Sequence, residues 1–272
     1  MGRKLIKPTK PSEFPLAHIL RTVQQSLMAD RSWHPLKHFQ AGPSRQSDRR
    51  GGIHPSDLAK NCDRALAYSL VNAERERIAP DDKLLRIFDH GHALHAVYQA
   101  YLHEAAIQGH VDSFEDEVPV YEESLNIVGT ADGLVKDGLR YGIEIKSAGP
   151  STYYSTKDLR KASSPISRPL KYHRQQAHAY MVAGNLNAFF FIYSDKAMDD
   201  FSVIYEPFDP ECWNPVLKSI HFVQKMVGRY VLPNKTKDTW GCRSCPYKTI
   251  CDKDTGLLKS DRRQDTRDQV KP

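Results

Sequence analysis

Two neighbouring stretches combine residue types that belong to chemistry rather than to a plain core. Gly129-Thr130-Ala131-Asp132-Gly133 places a carboxylate in a glycine-flanked turn, and Gly142-Ile143-Glu144-Ile145-Lys146-Ser147 sets Glu and Lys inside an otherwise apolar strand pattern. Period-two alternation puts Glu144 and Lys146 on one face of that strand and Ile143 and Ile145 on the other. Buried charge is costly unless it is paired or bound to metal. If the two stretches lie side by side, Asp132 and Glu144 meet as hard oxygen donors suited to Mg²⁺ or Mn²⁺. Lys146 beside them would orient or help deprotonate a water and stabilise developing negative charge. That combination is the chemistry of phosphodiester hydrolysis. The ordinary alternative is an exposed Glu–Lys pair on a strand surface, a common feature of little energetic weight.

Three features elsewhere shift the balance. His95 follows Gly91 by four residues on an expected helix and offers a nitrogen ligand, with His90, His92 and His103 as nearby competitors. Gln176 and Tyr180 are four apart and share a helix face, with Tyr172 behind them. Such a pair could hydrogen-bond a phosphate or a base edge. Cys242, Cys245 and Cys251 cluster behind Trp240, while Cys62 stands far upstream. Four thiolates hold either zinc or an iron–sulfur cluster, and a three-plus-one spacing favours the cluster over a compact zinc module. A distant fourth ligand would staple the first folded helix to the C-terminal module. Cys212 is left over and reads as a partly buried free thiol.

These residues need a sheet with helices packed on it. Phe14 to Leu27 carries Leu16, Ile19, Leu20, Val23 and Leu27 at helical spacing. A helix capped by Ser56 is expected to run to about Val71 with Cys62 on it, and a second from about Lys83 to Gln108. Strand character follows at Glu117–Val120, Asn126–Val135 and Tyr141–Ser147, with the turn signal Lys136-Asp137-Gly138 between the last two. Leu170–Ala183 and Trp213–Tyr230 read as helices; Ala188–Tyr193 and Phe201–Tyr205 read as a strand and its hairpin partner. The order implies one mixed α/β domain with accessory helices around a central sheet. Residues 1–52 read as a basic, partly disordered arm with a short helix, 53–256 as the folded domain, and 257–272 as a disordered charged tail.

The whole chain sets the class. Its 272 residues are 40% hydrophobic and carry a net charge of +6, which permits a polyanionic partner. An odd count of five Cys, three of them clustered, argues against a secreted disulfide framework. With no apolar run near the roughly 20 residues of a membrane span and no apolar segment after the basic start, the expectation is cytoplasmic with no membrane. No phosphate-binding Gly-rich loop ending in Lys-Ser/Thr is present, so the chain carries no helicase motor of its own.

In their order, Gly91-x3-His95, Gly129-x2-Asp132-Gly133, Glu144-x-Lys146 and Gln176-x3-Tyr180 resemble the motifs of RecB-type nucleases of the PD-(D/E)XK superfamily. Cys62 with Cys242, Cys245 and Cys251 resembles its iron–sulfur branch, which includes the CRISPR-associated iron–sulfur exonucleases and the AddB nuclease domain. Cys62-Asp63-Arg64-x3-Tyr68 looks like the Cys-Pro-Arg-x3-Tyr start of that branch, with Asp63 in place of Pro; Ala131 likewise replaces the Pro before the motif Asp. The resemblance covers about residues 53–253. It implies a restriction-endonuclease-like mixed central sheet flanked by helices, with a helical N-terminal part and a C-terminal iron–sulfur module. It implies that His95, Asp132, Glu144 and the Ile145 carbonyl bind Mg²⁺ or Mn²⁺, that Lys146 positions the water, and that Gln176 and Tyr180 hold DNA. It also implies a structural [4Fe–4S] cluster on the four cysteines. The expected function is a metal-dependent DNA exonuclease acting on single strands or duplex ends in recombination, repair or replication, with a protein of those processes as a further partner. A structure-specific or adaptation-linked endonuclease shares every one of these residues, and a non-catalytic DNA-binding subunit is the alternative from another class. The basic arm and the loop Ser151–Pro169, with Lys157, Arg160, Lys161 and Arg168, are candidates for backbone contacts.

Overall fold

A computed structural model of the chain describes residues 14–30, 51–58, 60–76, 81–149, 153, 166–196, 200–236 and 241–254. Helices α1 (Leu16–Ala29), α2 (Pro55–Leu58), α3 (Asp63–Leu70) and α4 (Asp82–Ile107) precede a meander of β1 (Ser113–Glu122), β2 (Ile127–Asp137) and β3 (Leu139–Ala148). Helix α5 (Lys171–Gly184) crosses over to β4 (Ala188–Asp195), which pairs with β5 (Phe201–Pro207); α6 (Pro210–Val227) and α7 (Lys248–Lys253) follow. The sheet runs in the order β1-β2-β3-β4-β5, with β3 and β4 parallel and every other pair antiparallel. This is the mixed α/β sheet flanked by helices that the sequence implied. Among the described residues, no helix is long and apolar enough to cross a membrane.

Strand β4, Ala-Phe-Phe-Phe-Ile-Tyr-Ser-Asp, is buried at every position, as befits a strand covered on both faces. Phe190 and Ile192 join Ile143 and Ile145 in a core covered by α1 and α4, while Phe189, Phe191 and Tyr193 pack with Ala177, Tyr180 and Met181 of α5. The Phe189 ring of β4 lies over Gly142 of β3, where a Cβ would stand 2.2 Å from it. Asp81 caps α4 by accepting the Leu84 N–H at 2.7 Å, and Asp209 caps α6 by accepting from Glu211.

Two expectations change. The helix within the supposed arm belongs to the core: Leu16, Ile19, Leu20, Val23 and Leu27 are all buried, and Phe14 stacks on Tyr141 at 4.9 Å between ring centres. The single helix expected from Ser56 to Val71 is two helices. Asn61, at φ 46°, takes the left-handed conformation that Asn tolerates, and Cys62 is extended, so it is the N-cap of α3 and not a residue within a helix. Arm residues 1–13 and 31–50, Lys157, Arg160 and Lys161 of the loop, Trp240 and the tail expected to be disordered lie outside the described residues.

Candidate metal centre and cysteine cluster

The site forms where β2 and β3 part. Their ladder ends at the pair Gly133–Ile143, although β2 continues along β1 and β3 continues along β4. The Asp132 carboxylate fills the place of the missing ladder bond: its Oδ2 accepts the Ile145 N–H at 2.8 Å. Its Oδ1 faces His95 Nδ1 at 3.6 Å. Helix α4 delivers His95 from one side of the sheet and α5 delivers Gln176 from the other.

Glu144 is 2% exposed and is gripped twice on the same oxygen. Lys146 Nζ forms an ion pair with Oε1, and Gln176 Nε2 donates to Oε1 at 2.9 Å. Burial pushes the Glu144 carboxyl from 4.5 up to about 7; Lys146 opposes the rise and Asp132 adds to it. Burial pulls the Lys146 ammonium down, but attraction to Glu144 and Asp132 outweighs it, so the group is held charged. Burial, with the Lys146 charge behind it, lowers the His95 pKa and favours the neutral imidazole that can ligate a metal.

Sequence reasoning thus named residues that the fold makes neighbours: Asp132 bonds Ile145 and faces His95, and Lys146 pairs with Glu144. Gln176 and Tyr180 join them, but in a different posture from a DNA grip. Gln176 is 9% exposed with its amide on Glu144, and Tyr180 is 6% exposed with its hydroxyl donating to the Thr130 carbonyl at 2.8 Å. Both brace the site from within, because α5 lies flat on the sheet and leaves their polar ends no route to solvent. Two further residues escaped the sequence reading. Glu117, opposite Asp132 in the β1–β2 register, adds a carboxylate that acts electrostatically on His95. Gln99, one turn after His95 on the same face of α4, donates to both Glu117 and the Asp132 carbonyl. The i, i+4 spacing from His95 was the available signal for Gln99; Glu117 needed the strand register.

Two carboxylates, a neutral imidazole and a main-chain group form a donor set that suits a hard divalent cation by its chemistry. Among the described residues, no three His, Cys, Asp or Glu side chains stand grouped as a ready-made cage.

The motif cysteines from both ends of the fold lie near enough to act on one another electrostatically. Cys62 heads α3; burial pushes its thiol up, and Cys245 and Cys242 are close enough to add to the rise. Burial also raises Cys245, with Cys242 and Cys251 contributing. Cys62, Cys245 and Cys251 pack against the apolar cluster of α3 and α6 that includes Tyr68, Trp213 and Tyr247. The junction is held independently by polar groups: Tyr68 donates to Asp254 at 2.7 Å, and buried Arg64 donates to the Pro233 carbonyl at 2.7 Å. Cys212 is partly buried on α6 beside Arg174, apart from this set.

No protein-family model matches the chain, and no curated protein sequence matches it. Among solved structures the chain is similar to SSO0001, at 18% identity over 90% of this chain and 98% of the other, with a TM-score of 0.42. It is similar to an alkaline exonuclease from Laribacter hongkongensis at 14% identity over 66% and 90%, with a TM-score of 0.46. It is also similar to an exonuclease candidate from Eubacterium rectale at 12% identity over 85% and 100%, with a TM-score of 0.43.

Proposed function

We propose that this chain is a divalent-metal-dependent deoxyribonuclease that degrades DNA from its ends and uses a [4Fe–4S] cluster as a structural staple. The observation that carries the reading is the convergence of Asp132, Glu144, His95 and Lys146 at the parting of β2 and β3, where Asp132 acts electrostatically on the buried Glu144. A buried carboxylate with a raised pKa beside a charged lysine, as at Glu144, is a physical mark of a candidate functional site. His95, Asp132, Glu144 and the Ile145 carbonyl would hold Mg²⁺ or Mn²⁺. The bound ion supplies charge neutralisation at the phosphate and a more acidic water. Lys146 holds its proton and orients the attacking water from the Glu144 side; Gln176 fixes the Glu144 carboxylate, and Tyr180 fixes the strand at Thr130. DNA is the proposed substrate, and the preference for ends rests on the motif resemblance.

The cluster part of the proposal rests on four thiols drawn to one partly buried locus from sequence positions far apart. The raised Cys62 and Cys245 thiols become thiolates only with a strong counter-charge, which iron would supply.

The test is digestion of end-labelled single- and double-stranded DNA, with a covalently closed circle as control, in Mg²⁺ and in Mn²⁺. Linear DNA should be degraded and the circle left intact, while Asp132→Ala and Lys146→Ala should fold and fail to cleave. Cleavage of the circle would replace the exonuclease reading by an endonuclease one. Retained activity in both variants would remove the nuclease assignment.

A further inference from the structure

The β1–β2 ladder runs from Ser113–Lys136 to Glu122–Ile127 with one gap, the pair Glu117–Asp132. The gap arises because Glu117 sits at φ 53°, a left-handed conformation rare for a residue with a side chain. Such a conformation persists only where the surroundings over-determine it. One side-chain amide is part of those surroundings. Gln99 Nε2 donates to Glu117 Oε1 at 3.1 Å and to the Asp132 carbonyl at 2.9 Å. Both neighbours are acceptors, so the NH₂ end must face them; the two hydrogens of one amide nitrogen serve one oxygen each. The Asp132 side chain is fixed separately by Ile145, so Gln99 controls its main chain and Ile145 its carboxylate.

We infer that Gln99 is a positioning residue of the candidate metal centre: it replaces the ladder bond that β1 withholds from Asp132 and keeps the Glu117 carboxylate turned into the site. The inference rests on the metal-site reading above and deepens it. Helix α4 thereby contributes two residues in register, His95 as a ligand candidate and Gln99 one turn later as the brace of the central carboxylate's strand. Without the brace, Asp132 keeps its bond to Ile145, but its Cα is released where the strand is already interrupted.

The test uses the full-length protein and reads Mn²⁺ binding by titration calorimetry, beside DNA cleavage and thermal unfolding. Gln99→Met preserves length and removes both bonds; Gln99→Asn preserves the amide but is too short to span both oxygens, and serves if the first variant does not fold. The expected result is Mn²⁺ binding weakened about tenfold or more, with kcat falling and the KM for DNA changed less than about twofold, in a protein that still unfolds cooperatively. A merely structural role would lower the unfolding temperature and leave Mn²⁺ affinity of the folded protein unchanged, and that result overturns the inference. If wild type binds Mn²⁺, the Gln99 variant does not, and neither cleaves DNA, the nuclease reading fails while the positioning role stands. If wild type binds no Mn²⁺, both fall.

Discussion

Glu144→Gln should make the metal-free protein more stable while abolishing cleavage. Glu144 is 2% exposed, and burial lifts its pKa from 4.5 to about 7. That rise corresponds to roughly 3 kcal/mol for holding the carboxylate ionised inside the fold. Because the folded pKa lies above the unfolded one, the native state binds more protons than the unfolded chain between these values. The neutral carboxyl's contribution is therefore complete below pH 4.5 and lost as the pH rises through about 7. An amide of the same shape removes the ionisation cost and can keep the contact from Gln176. It also takes a charged partner from Lys146 and leaves Asp132 as the nearest anion, which offsets about 1–2 kcal/mol. The expected net gain at pH 8 is about 1–2 kcal/mol, or about 2–8 °C in Tm. Urea unfolding in EDTA at pH 8 and at pH 5 measures it: the gain should be present at pH 8 and much smaller at pH 5, where folded wild-type Glu144 is already neutral. Added Mn²⁺ should then stabilise wild type and not the variant, reversing the order by mass action. A variant less stable than wild type at pH 8 in EDTA, or a gain equal at both pH values, would refute the reasoning.

The histidines give the opposite pH slope and are best read in that same variant, where the Glu144 titration is gone. His178 is fully buried, with Nδ1 on the Arg174 carbonyl and Nε2 accepting the Asp209 N–H; burial lowers its pKa, and burial lowers His173 to about 3. With folded pKa values depressed below the unfolded 6.5, their stabilisation is complete above pH 6.5 and is lost as the pH falls. Each contributes up to about 1.4 kcal/mol per pH unit, so urea midpoints should drop between pH 7.5 and 5.5, with a shallower slope in His178→Leu. Leu20→Ala, in the core helix α1, should cost about 2–5 kcal/mol in denaturant unfolding. Deleting residues 1–50 should therefore unfold the protein, whereas deleting 1–13 should leave the fold and flatten the salt dependence of DNA binding if the basic residues there touch phosphates. Anaerobically purified protein should be brown, with a broad visible absorption that disappears on oxidation, and Cys62→Ala or Cys245→Ala should lower stability and solubility; a colourless protein with stoichiometric zinc would replace the cluster by zinc.

Much of the site was legible because its signals are local. Glu144 and Lys146 share a strand face by alternation alone, and their presence in an Ile-rich strand announced that burial had to be compensated. Gln176 and Tyr180 share a helix face by the same kind of periodicity. Local signals fixed the types of contact less well. A Gln–Tyr pair on one face reads equally as a hand for DNA or as a brace for the sheet, and only the seating of α5 turned it inward. The helix break at Asn61 was missed because Asn tolerates both helical and left-handed conformations, and nothing nearby in the chain decides between them. Helix α1 was read as part of an arm because its basic and polar flanks dominated the composition, while its five buried side chains form a stripe that composition averages away.

By itself the sequence determined the strand and helix periods, the carboxylate and lysine types, the order of the motifs and the thiol set, since each depends on neighbours within a turn or a strand pair. Tertiary structure alone decided that β2 and β3 part after Gly133, so that Asp132 answers Ile145 in place of a ladder partner. It also decided that Gln99 and Glu117 belong to the same site. Glu117 is 15 residues from Asp132 and Gln99 is 33 residues away, yet one amide reaches both. That meeting depends on strand register and on the seating of α4 over the sheet, which are properties of the packed core and not of any single stretch of chain.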